Sequence, residues 1–397
     1  MSRSSRLAAE LLAGVARRPW QPEPLSEPLP LDALPTPALV LDADALDRNI
    51  ARMAAFLAQH GKAPRPHAKT HKCPLIAKAQ LAQGAVGICA AKTGEAAALV
   101  AAGVHQVLVT SPVADPLRAE LLAALARQAR DADPRSRIDV VVDSMSGFEA
   151  LRRCVSSADD LGGVIDIDVG MGRTGTRERD QILALADALS STPGFRFAGV
   201  QHYAGQVMHL DGWDARSARS RELWQTVQEH VSALRERGFD PGIITGGGTG
   251  TFDIDCHEAL ITDLQVGSYV FMDQQYRIIG ASDGGLFEPF EQSLSVVATV
   301  ISQPRSSHVT VDAGFKAFAV DAGPPVPQTQ GLRYRFAGDE HGVVLVEGEG
   351  TLPPLGARLS FVPPHCDPTV NLYDAYWVLR DGMVRERWPI PARGLSW

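Results

Sequence analysis

P-R-P-H-A-K-T-H-K-C, running from Pro64 to Cys73, is the stretch on which the fold turns. Taken as a short strand leading out into a loop, it places Arg65, His67 and Lys69 on one face, because side chains alternate along a strand. The opposite face carries Pro64, Pro66 and Ala68, small enough to lie beneath packed helices. The polar face must then point toward an enclosed centre, and burying three such groups is costly unless they are paired or used. A lysine held there loses solvation, its pKa falls, and it becomes nucleophilic enough to form a Schiff base with a carbonyl compound. The competing reading is a solvated basic loop, since His71 and Lys72 add charge and Pro66 is awkward inside a central strand.

Outward from this stretch, strand-like and helix-like runs alternate in the manner of a parallel α/β fold. After R-P-H-A-K come G-I-C-A from Gly87, Q-V-L-V-T from Gln106, I-D-V-V-V-D from Ile138 and V-I-D-I-D-V from Val164. F-A-G-V-Q-H-Y from Phe197, G-I-I-T from Gly242 and T-D-L-Q-V-G-S-Y-V from Thr262 complete a set of eight. The intervening segments carry helix signals: Asp115 is placed as an N-cap, Pro116 suits the first helical position, and Leu117, Leu121 and Leu125 recur every four residues. Eight strands joined by helices predict a (β/α)₈ barrel with its active site at the C-terminal strand ends. An open doubly wound sheet is the alternative, disfavoured because the early glycine fingerprint with a following acidic residue is missing.

Past about Gly280 the pattern changes to short alternating runs: Leu294 to Ile301, Val309 to Val311, Val343 to Val346, Arg358 to Val362 and Tyr376 to Leu379. Asp381 and Gly382 supply a hairpin turn. The expected organisation is an arm and proline-rich connector over 1–37, a barrel over 38–280 and a mostly antiparallel β domain over 281–397, which the early run A-L-V-L-D from Ala38 is free to join. The chain has 397 residues, 45% of them hydrophobic and 21% charged, with a net charge of −8 and no long basic cluster. That composition suits a globular protein and argues against nucleic acid as a partner. The five cysteines (Cys73, Cys89, Cys154, Cys256 and Cys366) are odd in number and contain no C-x-x-C pair, which fits a reducing cytoplasm. No apolar run reaches the length of a membrane span.

Several motifs carry chemistry. I-I-T-G-G-G-T-G-T follows the seventh strand, where barrels commonly bind phosphate, and its glycines let backbone N–H groups approach closely. The fifth strand ends in D-V-G-M-G-R-T-G, placing Arg173 beyond its end. The sixth ends in Q-H-Y-A-G-Q-V-M-H, presenting Tyr203 and then His209, a residue whose ordinary pKa suits acid–base work. P-P-H-C-D-P-T-V-N offers His365 and Asp367 two residues apart. Read as a strand, this spacing points both to one side as half of a divalent-metal site, with Cys366 facing away.

Taken in order, R-P-H-A-K-T-H-K, G-M-G-R-T-G, T-G-G-G-T-G, Q-V-G-S-Y-V-F-M-D and H-C-D-P-T-V-N resemble the D-threonine aldolase and D-serine dehydratase family, which shares the alanine racemase fold type. The resemblance implies a barrel holding pyridoxal 5'-phosphate, followed by a β domain. It implies that Lys69 forms the Schiff base, that Arg173 and Tyr203 contact the cofactor ring or phenolic oxygen, and that Gly247, Gly248, Thr249, Gly267, Ser268 and Tyr276 belong to the cofactor and phosphate contacts. His365 and Asp367 match the metal ligands, and His209 the histidine near the substrate hydroxyl. Ala91 stands where relatives often carry glutamine, and Thr174 where cysteine is frequent.

Dehydratases of the family resemble H-x-C, a softer pair suited to zinc, whereas H-x-D is harder and suits manganese or magnesium. The resemblance therefore implies an aldolase acting on a small D-3-hydroxy amino acid, giving glycine and an aldehyde. The rival is a dehydratase giving a 2-oxo acid and ammonia; a racemase and a non-catalytic cofactor carrier leave the metal motif without a role. The resemblance also implies a homodimer.

Overall fold

Each run rich in β-branched residues forms a strand, and each following segment with helical spacing forms a helix that covers it. The structure, a computed structural model, describes residues 3–397. Eight parallel strands run Ala63–Pro64, Ile88–Ala90, Gln106–Val109, Arg137–Val142, Leu161–Ile167, Phe195–His202, Ile243–Gly246 and Asp263–Leu264. Each pairs with its neighbour in the chain from the second to the eighth, and the eighth returns to the first. A parallel bridge between His67 and Cys89 joins the first strand to the second, so the sheet curls into a (β/α)₈ barrel. The helix predicted from Asp115 spans Pro116–Ala132; Asp115 accepts the Arg118 N–H at 2.9 Å, and Leu121 and Leu125 are buried.

The first strand shows how Pro64 and Pro66 are accommodated. The N–H groups of Arg65 and His67 donate to Leu264 and Val266 of the eighth strand, at 2.8 and 2.9 Å. On the other edge the proline carbonyls accept instead, from Val86 at 3.0 Å and Cys89 at 2.8 Å. The prolines thus stand where the strand's own donors are dispensable. The basic-loop reading is overturned: His71 and Lys72 are buried, and Lys72 forms an ion pair with Glu95.

The second sheet is mostly antiparallel. It contains Leu294–Arg305, His308–Val311, Leu332–Phe336, Gly342–Val346, Arg358–Val362, Ala375–Arg380 and Met383–Pro389. Asp381 and Gly382 turn the last hairpin with φ of +50° and +75°, the pair of positive values that matches strand twist. Ala38–Asp42 lies between Leu294–Arg305, antiparallel, and Ala375–Arg380, parallel. The chain therefore enters this sheet, leaves to build the barrel, and returns. Glu23–Leu29, whose prolines read as a connector, pairs with Met383–Pro389 as an edge strand, a position where a missing N–H is tolerated. The helix Arg3–Ala16 buries Ala8, Leu12 and Val15 at helical spacing. Among the described residues no helix is long and apolar enough to cross a membrane.

Candidate active site

Side chains facing the barrel axis form layers. Arg65, Asp139, Arg196 and Asp263 meet near the N-terminal strand ends, where Arg65 Nε donates to Asp263 at 2.7 Å and Arg196 pairs with Asp139. Above them Cys89, Leu108, Val141, Val164 and Ala198 make an apolar plug. Near the C-terminal ends the chemistry turns polar again. Gln265 donates to Gln201 at 2.9 Å, Gln201 donates to Asp166 at 3.1 Å, and the Thr174 hydroxyl donates to Asp166 at 2.7 Å. Burial raises the Asp166 pKa against those hydrogen bonds. This network supports a cavity of about 630 Å³ at the C-terminal mouth.

Lys69 reaches that cavity from the turn that ends the first strand. Its side chain, 40% exposed, lines the pocket, and Nζ forms an ion pair with Asp367, itself 12% exposed. Burial works against the ammonium, yet Asp367 and Tyr203 outweigh it and hold the Lys69 pKa above its ordinary value. The lowered lysine pKa expected from the sequence is thus overturned by a carboxylate 298 residues away. Burial likewise opposes the Asp367 charge, and Lys69 and His365 overcome it, so the carboxylate stays ionised well below its usual range.

His67 sits beside the lysine with a defined tautomer. The Lys69 N–H donates to Nδ1 at 3.3 Å, which leaves the proton on Nε2 to face the Thr110 hydroxyl at 3.0 Å. Burial holds His67 well below the usual imidazole range, so the ring is neutral.

The H-C-D segment is brought over the mouth by backbone contacts. Asp273 accepts the N–H of Tyr276 at 3.0 Å and of Cys366 at 2.9 Å, while Gln274 and Gln275 donate to the carbonyls of Pro363 and Pro364 at 3.2 Å. The segment is not a strand. His365 is the extended N-cap of a short helix, Cys366–Val370, which carries Asp367 in its first turn. The two side chains consequently have different partners: Asp367 faces Lys69, and His365 Nδ1 meets Asp321 at 2.6 Å. Proline flanks end the strand that the two-residue spacing had suggested.

Of the residues expected at the site, Lys69, Arg173, Tyr203, Gly248, Thr249, Gly267, Ser268 and Tyr276 line the cavity, as do Ala91 and Thr174. Arg173 lies over the Tyr203 ring at 5.3 Å. Burial keeps the Tyr276 phenol protonated, and the His209 ring packs 4.7 Å from it. Partial burial and the charges of His365, Lys69 and Arg216 hold His209 down, to about 4, so it is neutral near pH 7. Gly247 stands behind the wall at φ +67°, where a Cβ would lie 2.6 Å from the Asp255 carboxylate. At Gly267 a Cβ would meet the Thr70 hydroxyl at 2.7 Å, so the wall there stays bare backbone.

The sequence reading passed over Asp166, Gln201, Gln265 and Asp321. The first three were detectable as polar residues recurring at period two inside otherwise apolar strands. Asp321 lies in a loop with no pattern to mark it.

The chain matches two family models: the alanine racemase N-terminal domain over residues 41–275, and the putative serine dehydratase domain over 293–379. It is 41% identical to a D-threonine aldolase of an Arthrobacter species, over 98% of this chain and all of the relative. It is 35% identical to a 3-hydroxy-D-aspartate aldolase of Paracoccus denitrificans, over 90% of this chain and 92% of that one. The crystal structure of a D-threonine aldolase from Filomicrobium marinum superposes with a TM-score of 0.88 at 37% identity, covering 94% of this chain and all of that one.

Proposed function

The chain belongs to the family of D-threonine aldolases and related dehydratases built on the alanine racemase fold and is a lyase, and from that premise we propose that it cleaves D-3-hydroxy amino acids to glycine and an aldehyde. The proposal takes pyridoxal phosphate and a divalent cation as its cofactors. The observation that carries it is the meeting of Lys69 with Asp367: a lysine on the barrel mouth faces a carboxylate delivered by the other sheet.

The donor set suits the phosphate cofactor. Gly248, Thr249, Gly267 and Ser268 offer a wall of small residues for an anion, with the buried Thr70 hydroxyl beside it. Lys69 would hold the cofactor covalently through Nζ, and Arg173 and Tyr203 would flank it. Pyridoxal phosphate, when bound, supplies the electron sink that lets a bond to Cα break.

With Lys69 so engaged, Asp367 would be free of its ammonium partner, and Asp367 and His365 would offer a hard oxygen and a nitrogen to manganese or magnesium, with Asp321 orienting the imidazole. Such a cation would polarise the substrate hydroxyl. His209, neutral and at the rim, is placed to take the hydroxyl proton, while Tyr276 keeps its own.

The test is to incubate the purified protein with pyridoxal phosphate, manganese and D-threonine, and to assay acetaldehyde plus glycine against 2-oxobutanoate plus ammonia. The first pair of products supports the aldolase. The second would show that H-C-D sustains elimination and would replace this reading by the dehydratase. In Asp367→Ala, the response to added manganese should be lost; an unaltered response would remove Asp367 from the metal site.

A further inference from the structure

His60, Cys256 and His257 bring one ligand atom each to within 4.8 Å of one another, and none of them lines the cavity. His60 ends the helix Ala43–Gln59 that leads into the first strand. Cys256 and His257 follow the short helix Phe252–Asp255 and precede the eighth strand. These two strands are paired neighbours, so the cluster lies across the two segments that feed the seam next to Lys69.

The donors are already arranged as ligands. His60 Nδ1 lies 2.9 Å from the Phe56 carbonyl, which only accepts, so the ring proton sits on Nδ1 and the Nε2 lone pair is free. The His60 and His257 rings meet edge to face, with centroids 4.8 Å apart. The Cys256 thiol is buried, whereas His257 is exposed and leaves a side open to water. Burial, with Asp253 and Asp255 nearby, pushes the Cys256 thiol up to about 12, so it keeps its proton until a cation displaces it; Lys62 acts in the other direction, its Nζ held at 2.8 Å by the Ile261 carbonyl.

We propose that His60, Cys256 and His257 form a zinc site, completed by water, that staples the N-terminal face of the barrel. One thiol with two imidazoles selects zinc over the hard cations that suit a carboxylate pair. Tetrahedral zinc with ordinary bond lengths requires ligand atoms about 3.3 to 3.7 Å apart, a closure reached by small rotations of the two rings. On binding, the Cys256 S–H bond breaks, the proton passes to solvent, and sulfur keeps the electron pair for the metal. The site takes no part in the lyase reaction.

Cobalt(II) is the probe, added to the purified protein and followed by difference spectra. Wild-type protein should show a thiolate-to-cobalt charge-transfer band in the near ultraviolet. That band should persist in Asp367→Ala, which separates this site from the cavity, and vanish in Cys256→Ser. His257→Gln should weaken cobalt binding at least about tenfold and abolish the rise in melting temperature that zinc gives the wild type, with lyase turnover unchanged. Absence of the band in wild type, or its survival in folded Cys256→Ser, overturns the proposal. Should Cys256→Ser fail to fold, His257→Gln decides, because unchanged cobalt affinity and an unchanged zinc response in that variant overturn it equally.

Discussion

The two ends of the barrel interior are both polar and differ in what their polar groups are for. At the N-terminal end Arg65 and Asp263 are buried and hydrogen-bonded to each other, and Arg196 answers Asp139. At the C-terminal end a carboxylate network and an ion-paired lysine surround a cavity. Charges saturated by protein hold a barrel together; charges left facing space are available to a ligand. The apolar plug between them insulates one end from the other, so changes at the two ends should separate into losses of stability and losses of turnover.

The largest effect belongs to the open end. Lys69→Ala should lower turnover by roughly a thousandfold or more, because it removes the amine that would make the covalent contact; steady-state kinetics against D-threonine measures this. Retention of turnover would break the comparison at its strongest point. At the closed end, Asp263→Ala leaves Arg65 buried without a counter-charge and should cost about 3–5 kcal/mol in urea unfolding. The folded fraction should keep turnover within a few-fold of wild type. A large loss of turnover in folded protein would mean that the plug does not insulate the two ends.

Acid should act on stability through two buried histidines that do not line the cavity. Burial lowers the pKa of His71 and of His202 to about 4, from an ordinary value of 6.5. Between these values the unfolded chain binds protons that the folded chain refuses, so stability is full above pH 6.5 and declines as pH falls toward 4. Each group contributes roughly 2–3 kcal/mol to that decline. Urea midpoints measured from pH 7 to 4 should fall, and His202→Gln should flatten the slope. The smallest expected effect is Thr174→Val, which removes one hydrogen bond to Asp166. It should cost about 1 kcal/mol and change KM more than stability.

Local pattern made much of the fold legible. Eight strand-like runs with helical segments between them leave few topologies, and Lys69 stood out because a strand cannot cheaply carry three polar residues on one face. The H-x-D pair was legible as a pair, but its conformation was not: period two suggested a strand, and flanking prolines with a following T-V-N produced a helix turn instead. The lysine pKa was misread for a related reason. Burial alone lowers it, and the carboxylate that raises it lies in a helix turn between two strands of the second sheet.

By itself the sequence determined most of the strands and helices, because hydrophobic period and capping are local properties of the chain, and it missed the edge strand Glu23–Leu29 and the helix turn Cys366–Val370. It also determined which motifs are rich in reactive groups. Only the tertiary structure decided that Lys69 faces Asp367, that His365 turns to Asp321, and that Lys72 is neutralised by Glu95. The physical reason is that a charge's state depends on what lies within a few ångströms of it, and sequence distance says nothing about that until the barrel has closed and the second sheet has docked upon it.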